Sequence, residues 1–368
     1  MDRTWNSYEE EALYWFWLVN IPGVGRKLQG YLLERFHTPQ ELFRAKEEEV
    51  SEVLKPKALE SFCNSRDKNK ICNHYNDLRE RGITFLWSEH EEYPKRLKHL
   101  YDYPYGIYCK GMLPPPQKPS IAIVGARNAS LYGKEMAMYM AKELAKRGFS
   151  VISGLARGID ECAHVGALKE NGYTLGILGC GINICYPKEN YDIFRKMERE
   201  GGIMSEYPLN TSPHAGLFPM RNRLIAAMAD GILVVEAKAK SGSLITVDQG
   251  LELGRDIFAL PGKPFDELCK GCNDLIKSGA KMVTDVEDIV EEYQNNYVFS
   301  ENFQTENKNP LVKKEKMVYS VLRLEPKYID TIIEETQLPV SEVMTLLMSL
   351  EMKGYIKQAK RNYYSVNL

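Results

Sequence analysis

The chain has 368 residues, 44% hydrophobic and 27% charged, with a formal net charge of −2. This is the composition of a soluble globular protein of two or three domains, and no apolar run approaches the ~20 residues of a membrane span. The acidic, polar start from Met1 to Glu11 argues against a secretory signal, so the expected compartment is the cytoplasm and no membrane partner is expected.

Residues 1–80 read as a small helical domain. Pro22-Gly23-Val24-Gly25 separates the apolar run Leu13–Ile21 from a helical pattern carrying Leu28, Leu32, Leu33 and Phe36. That is the shape of a helix-hairpin-helix, whose glycine amides can touch a phosphate backbone. The glycines could equally turn a small SAM-like bundle. Only Arg26 and Lys27 add charge beside the turn, which favours the bundle. Residues 83–113 read as short strands and turns, and Pro114, Pro115 and Pro116 as a stiff extended connector.

From about 120 to 293, strand and helix patterns alternate. Apolar strand runs at Ile121–Val124, Phe149–Ile152, Thr174–Leu178, Gly202–Ser205, Ile232–Val235 and Ile257–Leu260 are separated by amphipathic helical patterns. Near-continuous apolar strands with helices between them predict a parallel sheet covered on both faces. The fold class is therefore α/β, a Rossmann-like doubly wound domain over 81–293 with an N-terminal extension. Cys269 and Cys272 form a CxxC inside it, but no second pair stands at zinc-ribbon spacing. The eight scattered cysteines fit a reducing compartment, and no metal site is expected. Residues 294–310 read as a polar linker. Residues 311–368 give three helical patterns and a hairpin, the layout of a winged helix.

Ligands of a parallel sheet bind beyond the carboxyl ends of its strands. Four motifs fall there. In Val124-Gly125-Ala126-Arg127-Asn128, Gly125 allows close backbone approach, the following helix start offers free amides, and Arg127 adds a phosphate donor. The pattern is not a dinucleotide GxGxxG, so no nucleotide cofactor is expected. The second motif, Ser153-Gly154-Leu155-Ala156-Arg157-Gly158-Ile159-Asp160, again clears space over a helix start. Its Asp160 and His164 could form an acid/base pair or simply brace the turn. No nucleophile stands beside them, which favours the brace. The third, Phe218-Pro219-Met220-Arg221-Asn222-Arg223, gathers two arginines and an asparagine at a helix start, an anion site. The fourth, Ser241-Gly242-Ser243-Leu244-Ile245-Thr246, offers hydroxyls either to phosphate or to the helix as caps. Lys188 adds charge after the third strand. With a bulk charge of −2, any nucleic-acid binding must rest on this local concentration.

The ordered run GARNAS, SGLARGIDECAH, GCGINICYPKEN, SEYP, FPMRNRLIAAMADGILVVEA, KSGSLITVDQGLELGRDIFALPG and GCNDLIKSGA resembles the signature of the DNA processing protein A (DprA/Smf) family, over about 105 to 285. The resemblance implies a non-enzymatic protein that binds single-stranded DNA along one face of the Rossmann-like domain. It also implies a homodimer and loading of the RecA recombinase during natural transformation. Carried over by motif, Arg127, Lys188, Arg221 and Arg223 are the expected phosphate contacts. Gly125, Ser153, Gly154, Asn222, Ser241 and Gly242 are the expected pocket residues. The stretch Asn210–Gly216 departs from expectation in holding no lysine or arginine.

A second resemblance competes. Met220–Arg223 followed by Ser241–Asp248 is similar to the MxxRK…PGGxGTxxE pattern of lysine-decarboxylase-like phosphoribohydrolases, which act on nucleoside monophosphates. The double glycine and the glutamate of that pattern are missing here, where Ser241-Gly242 and Asp248 stand. The C-terminal recognition-type helix, about Ser341 to Lys353, carries Met344, Met348 and Met352 but only Glu342, Glu351 and Lys353 as charges, so little duplex-DNA reading is expected from it.

Overall fold

A computed structural model of the chain describes residues 7–297 and 311–366, so most of the stretch read as a linker (298–310) lies outside the described residues. Up to Glu80 the described residues are helical, beginning with Ser7–Val19 and Arg26–Phe36. The turn between these two helices has Gly23 at φ +78°, a conformation in which a Cβ is strained. Arg26 beside it turns inward, 3.7 Å from the Tyr105 ring centroid and donating to the Tyr103 carbonyl. Trp17, Leu18, Phe62 and Leu78 share one continuous core with Leu155, Leu178, Met197 and Ile203 of the following region.

Among the described residues the central sheet has strands β1 (Thr84–Trp87), β2 (Gly106–Gly111), β3 (Ser120–Val124), β4 (Ser150–Ser153), β5 (Thr174–Ile177), β6 (Gly202–Ser205), β7 (Gly231–Val234), β8 (Asp256–Ala259) and β9 (Lys281–Met282). Their spatial order is β1-β2-β6-β5-β4-β3-β7-β8-β9. β6 through β9 are parallel, with Ile121 opposite Val151 on one side and Gly231 on the other. β1 and β2 extend the sheet antiparallel from β6. The architecture is the predicted Rossmann-like α/β sheet, mostly rather than wholly parallel. Strands β3 to β7 are buried throughout, and each Ile, Leu or Val there contributes about 2 kcal/mol of transfer free energy. The helices Leu131–Lys146 and Ile159–Lys169 cover one face, and Leu217–Met228 and Gly242–Glu252 cover the other.

The C-terminal winged helix follows: helices Lys313–Val321, Ile329–Thr336 and Val340–Met352, with strands Lys327–Tyr328, Ile356–Lys360 and Tyr363–Val366. It has its own core around Val318, Ile332 and Leu347. Leu324 packs against the cluster under Tyr132, and the Lys263–Glu325 and Lys357–Glu135 ion pairs join it to the sheet domain. Its last helix exposes Met344, Met348 and Met352.

Candidate nucleic-acid interface

β3 and β7 are adjacent, but the chain goes from β3 to β4 on one side and from β7 to β8 on the other. This is a topological switch point, where loops diverge and leave a crevice beyond the strand ends. A cleft of about 910 Å³ opens there. Gly125, Arg127 and Asn128 from the loop after β3, the segment Pro213–Asn222, and Lys238–Thr246 after β7 contribute to its walls.

Of the expected contacts, Arg127 is exposed, its guanidinium 5.1 Å from the Phe218 ring centroid. Arg221 lies on the cleft floor, only 4% exposed, donating to the carbonyls of Gly154 (2.9 Å) and Ile177. Burial lowers its pKa, with the Asp160 carboxylate opposing that shift. Asn222 lines the cleft and donates to the Gly242 carbonyl at 3.2 Å. Ser241 lines it too and caps the helix Gly242–Glu252 through the Ser243 amide, while Gly242 beside it faces open space. A Cβ on Gly125 would come within 2.7 Å of Ile159 and 2.8 Å of the Glu236 carbonyl, so this glycine serves close packing at the switch point.

Four of the expected residues are placed differently. Arg223 points away from the cleft, 7% exposed, and pairs with Asp102 at 2.9 Å and Glu206 at 2.6 Å. Those carboxylates already satisfy its guanidinium, so a phosphate contact is not available to it. Ser153 is buried and donates to the Ile123 carbonyl at 2.6 Å, inside the sheet. Gly154 makes room for Arg221, whose guanidinium would be 2.6 Å from a Cβ there. Lys188 is exposed on a 3-10 turn outside the cleft walls.

The helix starts are not free anion seats. Ahead of the helix Leu131–Lys146, the Ser130 amide and hydroxyl donate to the Glu236 carboxylate at 2.9 and 2.5 Å. Ahead of Ile159–Lys169, Asp160 accepts from the Gly154 and Ala156 amides at 3.2 and 3.4 Å. Asp160 therefore braces its own turn. His164 instead lies 2.7 Å from the Thr174 hydroxyl. That hydroxyl donates to the Val151 carbonyl, which leaves its oxygen to accept from Nδ1–H. Burial, aided by Arg221, pushes the His164 pKa down to about 3, so the ring is neutral. Asp248, the residue standing where a phosphoribohydrolase carries glutamate, is exposed and is not part of the cleft wall.

Several residues that the motifs did not single out complete the site. Tyr186, 45% exposed, stacks on Phe218 with ring centroids 5.6 Å apart and planes 21° apart. Lys238 and Lys240 are exposed and line the same cleft. Their spacing immediately before Ser241 was a readable signal, since a strand end and a hydroxyl turn bracket them. The arrangement offers exposed cations for a phosphate backbone and an aromatic platform for bases. Among the described residues no cluster of His, Cys, Asp or Glu is placed to hold a metal ion, and no helix is long and apolar enough to cross a membrane. Cys272 of the CxxC is buried, its thiol pushed up to about 12 by desolvation.

Residues 84–294 match the family model for DNA recombination-mediator protein A, and 304–360 match the DprA winged helix domain. The chain is 40% identical over 245 residues to the DNA processing protein DprA of Bacillus subtilis, covering 64% of this chain and 82% of that relative. It is 30% identical to the Smf protein of Synechocystis over 95% of this chain and 97% of that one. Among solved structures, DprA of Streptococcus pneumoniae superimposes with a TM-score of 0.67 at 30% identity, over 76% of this chain and 97% of that one. A Helicobacter pylori structure, described as showing the single-stranded DNA binding mode of its DNA processing protein A, gives 0.54 at 29% identity, over 59% and 97%. Matched over more than half its length by the family model and nearly end to end by a relative, the chain belongs to the DNA recombination-mediator protein A family, the DprA/Smf DNA processing proteins.

Proposed function

We propose that the chain binds single-stranded DNA without sequence specificity in the switch-point cleft. We further propose that it acts as a cytoplasmic homodimer that loads the RecA recombinase on the strand during DNA uptake and recombination. The observation that carries the first step is the pairing of exposed cations, Arg127, Lys238 and Lys240, with the Tyr186–Phe218 stack. Unpaired bases can stack on such a platform, whereas duplex bases are already stacked on one another. The two helices that border the cleft, Leu217–Met228 and Gly242–Glu252, are packed onto the sheet through Leu224, Ile225 and Val247, so neither stands free to enter a groove and read base edges. The Helicobacter relative, whose structure concerns single-stranded DNA, supports the same ligand. RecA loading, the homodimer and transformation rest on the family alone. The domain from 81 to 293 carries the strand in this scheme, with the helical region 1–80 supporting it and the winged helix 311–368 joined through the linker 294–310.

Mobility shift with single- and double-stranded DNA of equal length tests the ligand. The single strand should bind more tightly, and equal or tighter duplex binding contradicts the reading. The recombinase step is tested by RecA filament formation on DNA already coated with single-strand-binding protein. Stimulation is expected, and none at any ratio removes that step.

A further inference from the structure

We propose that Glu236 is a specificity-determining residue that fills the phosphate seat of this Rossmann-like domain and so excludes nucleotides from it. In doubly wound sheets the seat lies at the switch point, on the start of the helix that follows the first strand, where free amides and the helix dipole hold a pyrophosphate. Here that helix is Leu131–Lys146 after β3. Glu236 follows β7, directly across the switch point, and is 2% exposed. Its carboxylate takes the Ser130 amide (2.9 Å) and hydroxyl (2.5 Å), and the Ser130 hydroxyl oxygen in turn accepts from the Gly133 amide at 3.0 Å. The Glu236 carbonyl accepts from the Ala126 amide at 2.7 Å, which fixes its backbone to the loop after β3.

The fit leaves no room for a second anion. A Cβ on Gly133 would lie 2.3 Å from the carboxylate, so the glycine is required by Glu236 rather than by a ligand. An arriving phosphate would meet a fixed negative charge where it needs donors, and like charges in a desolvated site repel strongly. Nearby, Asp160 takes the Gly154 and Ala156 amides of the loop ahead of Ile159–Lys169, and Ser241 caps the helix Gly242–Glu252. Anions are therefore confined to the outer cations of the cleft. That geometry favours a polymer whose phosphates stay near solvent over a free nucleotide whose phosphates must be engulfed. This last preference rests on the strand-binding reading, whereas the exclusion of nucleotides stands on the Glu236 geometry alone.

The test is equilibrium dialysis of the full chain with ADP and with inorganic pyrophosphate. The unaltered protein should bind both more weakly than about 1 mM. Glu236→Ser, which vacates the seat, should bind pyrophosphate at least about tenfold more tightly, a change of about 1.4 kcal/mol. Glu236→Gln keeps the shape and removes the charge, so it should gain less while preserving the fold. Submillimolar ADP or pyrophosphate binding by the unaltered protein overturns the proposal, whatever the variants do. So does a variant with native circular dichroism and no gain. A single-strand titration of the unaltered protein runs alongside. If it fails while the dialysis result holds, the strand reading is wrong and the Glu236 assignment survives.

Discussion

Arg127 lines the cleft and Arg223 does not, and the two do different work. Arg127 is exposed over the Phe218 ring, with its charge available to a ligand. Arg223 is held between Asp102 and Glu206, and those acids raise its pKa against the cost of burial. Burial, with the Asp102 charge beside it, pushes the Glu206 carboxyl upward against the pull of Arg223, so removing the guanidinium would strand a desolvated acid. Arg223→Ala should therefore cost about 3 kcal/mol of stability, read from urea denaturation, because breaking a buried pair leaves its partner uncompensated. An unchanged midpoint would show that the network is dispensable. The sequence exposed the basic character of Met220–Arg223 but not this division. The decisive partners lie 121 and 17 residues away, and a run of arginines looks the same whether it meets phosphate or carboxylate. Lys238 and Lys240 are legible by position, between the end of a strand run and the hydroxyl turn at Ser241.

The strands and helices of the central domain were legible because each strand is an apolar run bounded by turn residues, and each helix carries a buried stripe. β9 was not, since Lys281–Met282 is too short to show any period. The antiparallel direction of β1 and β2 was also hidden, because pairing direction depends on long-range contacts rather than on local pattern. The filled helix start at Leu131 was invisible for the same reason, its carboxylate coming from 106 residues away. In the winged helix, Glu315 is buried and bound by Lys353 at 2.7 Å and Ser349 at 2.6 Å. These bonds hold its pKa down to about 2, from an ordinary value near 4.5. A carboxyl lowered in the folded state stabilises above its unfolded pKa, and that stability is lost as pH falls toward the folded value. The winged helix should accordingly lose thermal stability between about pH 4.5 and pH 2, and Glu315→Gln should flatten this dependence. Melting followed by circular dichroism at stepped pH checks it. A Glu315→Gln profile identical to that of the unaltered chain would contradict the assignment.

At the scale of the whole molecule, the helical N-terminal region and the winged helix are attached in different ways. The first shares a continuous core with the sheet, from Trp17 and Phe62 to Leu178 and Ile203. The second has its own core, and among the described residues its contacts with the sheet domain include Leu324 and two ion pairs. Its last helix presents Val340, Met344, Met348 and Met352 to solvent, and Glu342 and Lys353 are already paired with Lys314 and Glu315. Such a surface has little to offer a phosphate-lined groove. A chain ending near Asn296 should thus keep most of the single-strand affinity, and residues 311–368 alone should bind duplex DNA poorly in mobility-shift assays. Submicromolar duplex binding by that fragment in moderate salt would make the winged helix a true reader. The three-part layout was legible from the sequence, but the shared core was not, because a helical bundle with its own apolar residues gives no local sign of what it packs against.

A single strand lying along the exposed cations of the switch-point cleft must release counterions as its phosphates are neutralised, so its binding weakens with salt in proportion to the contacts made. Fluorescence anisotropy with one labelled single strand, over a series of salt concentrations, would compare the unaltered chain with Arg127→Ala and with Lys238→Ala/Lys240→Ala. Each lost phosphate contact should lower the slope of log affinity against log salt by about 0.7, so the single variant should fall by about 0.7 and the double by about 1.4. Both variants should melt like the unaltered protein, since these side chains are exposed. Variants that keep the original slope and affinity would mean that the strand, if it binds at all, binds elsewhere.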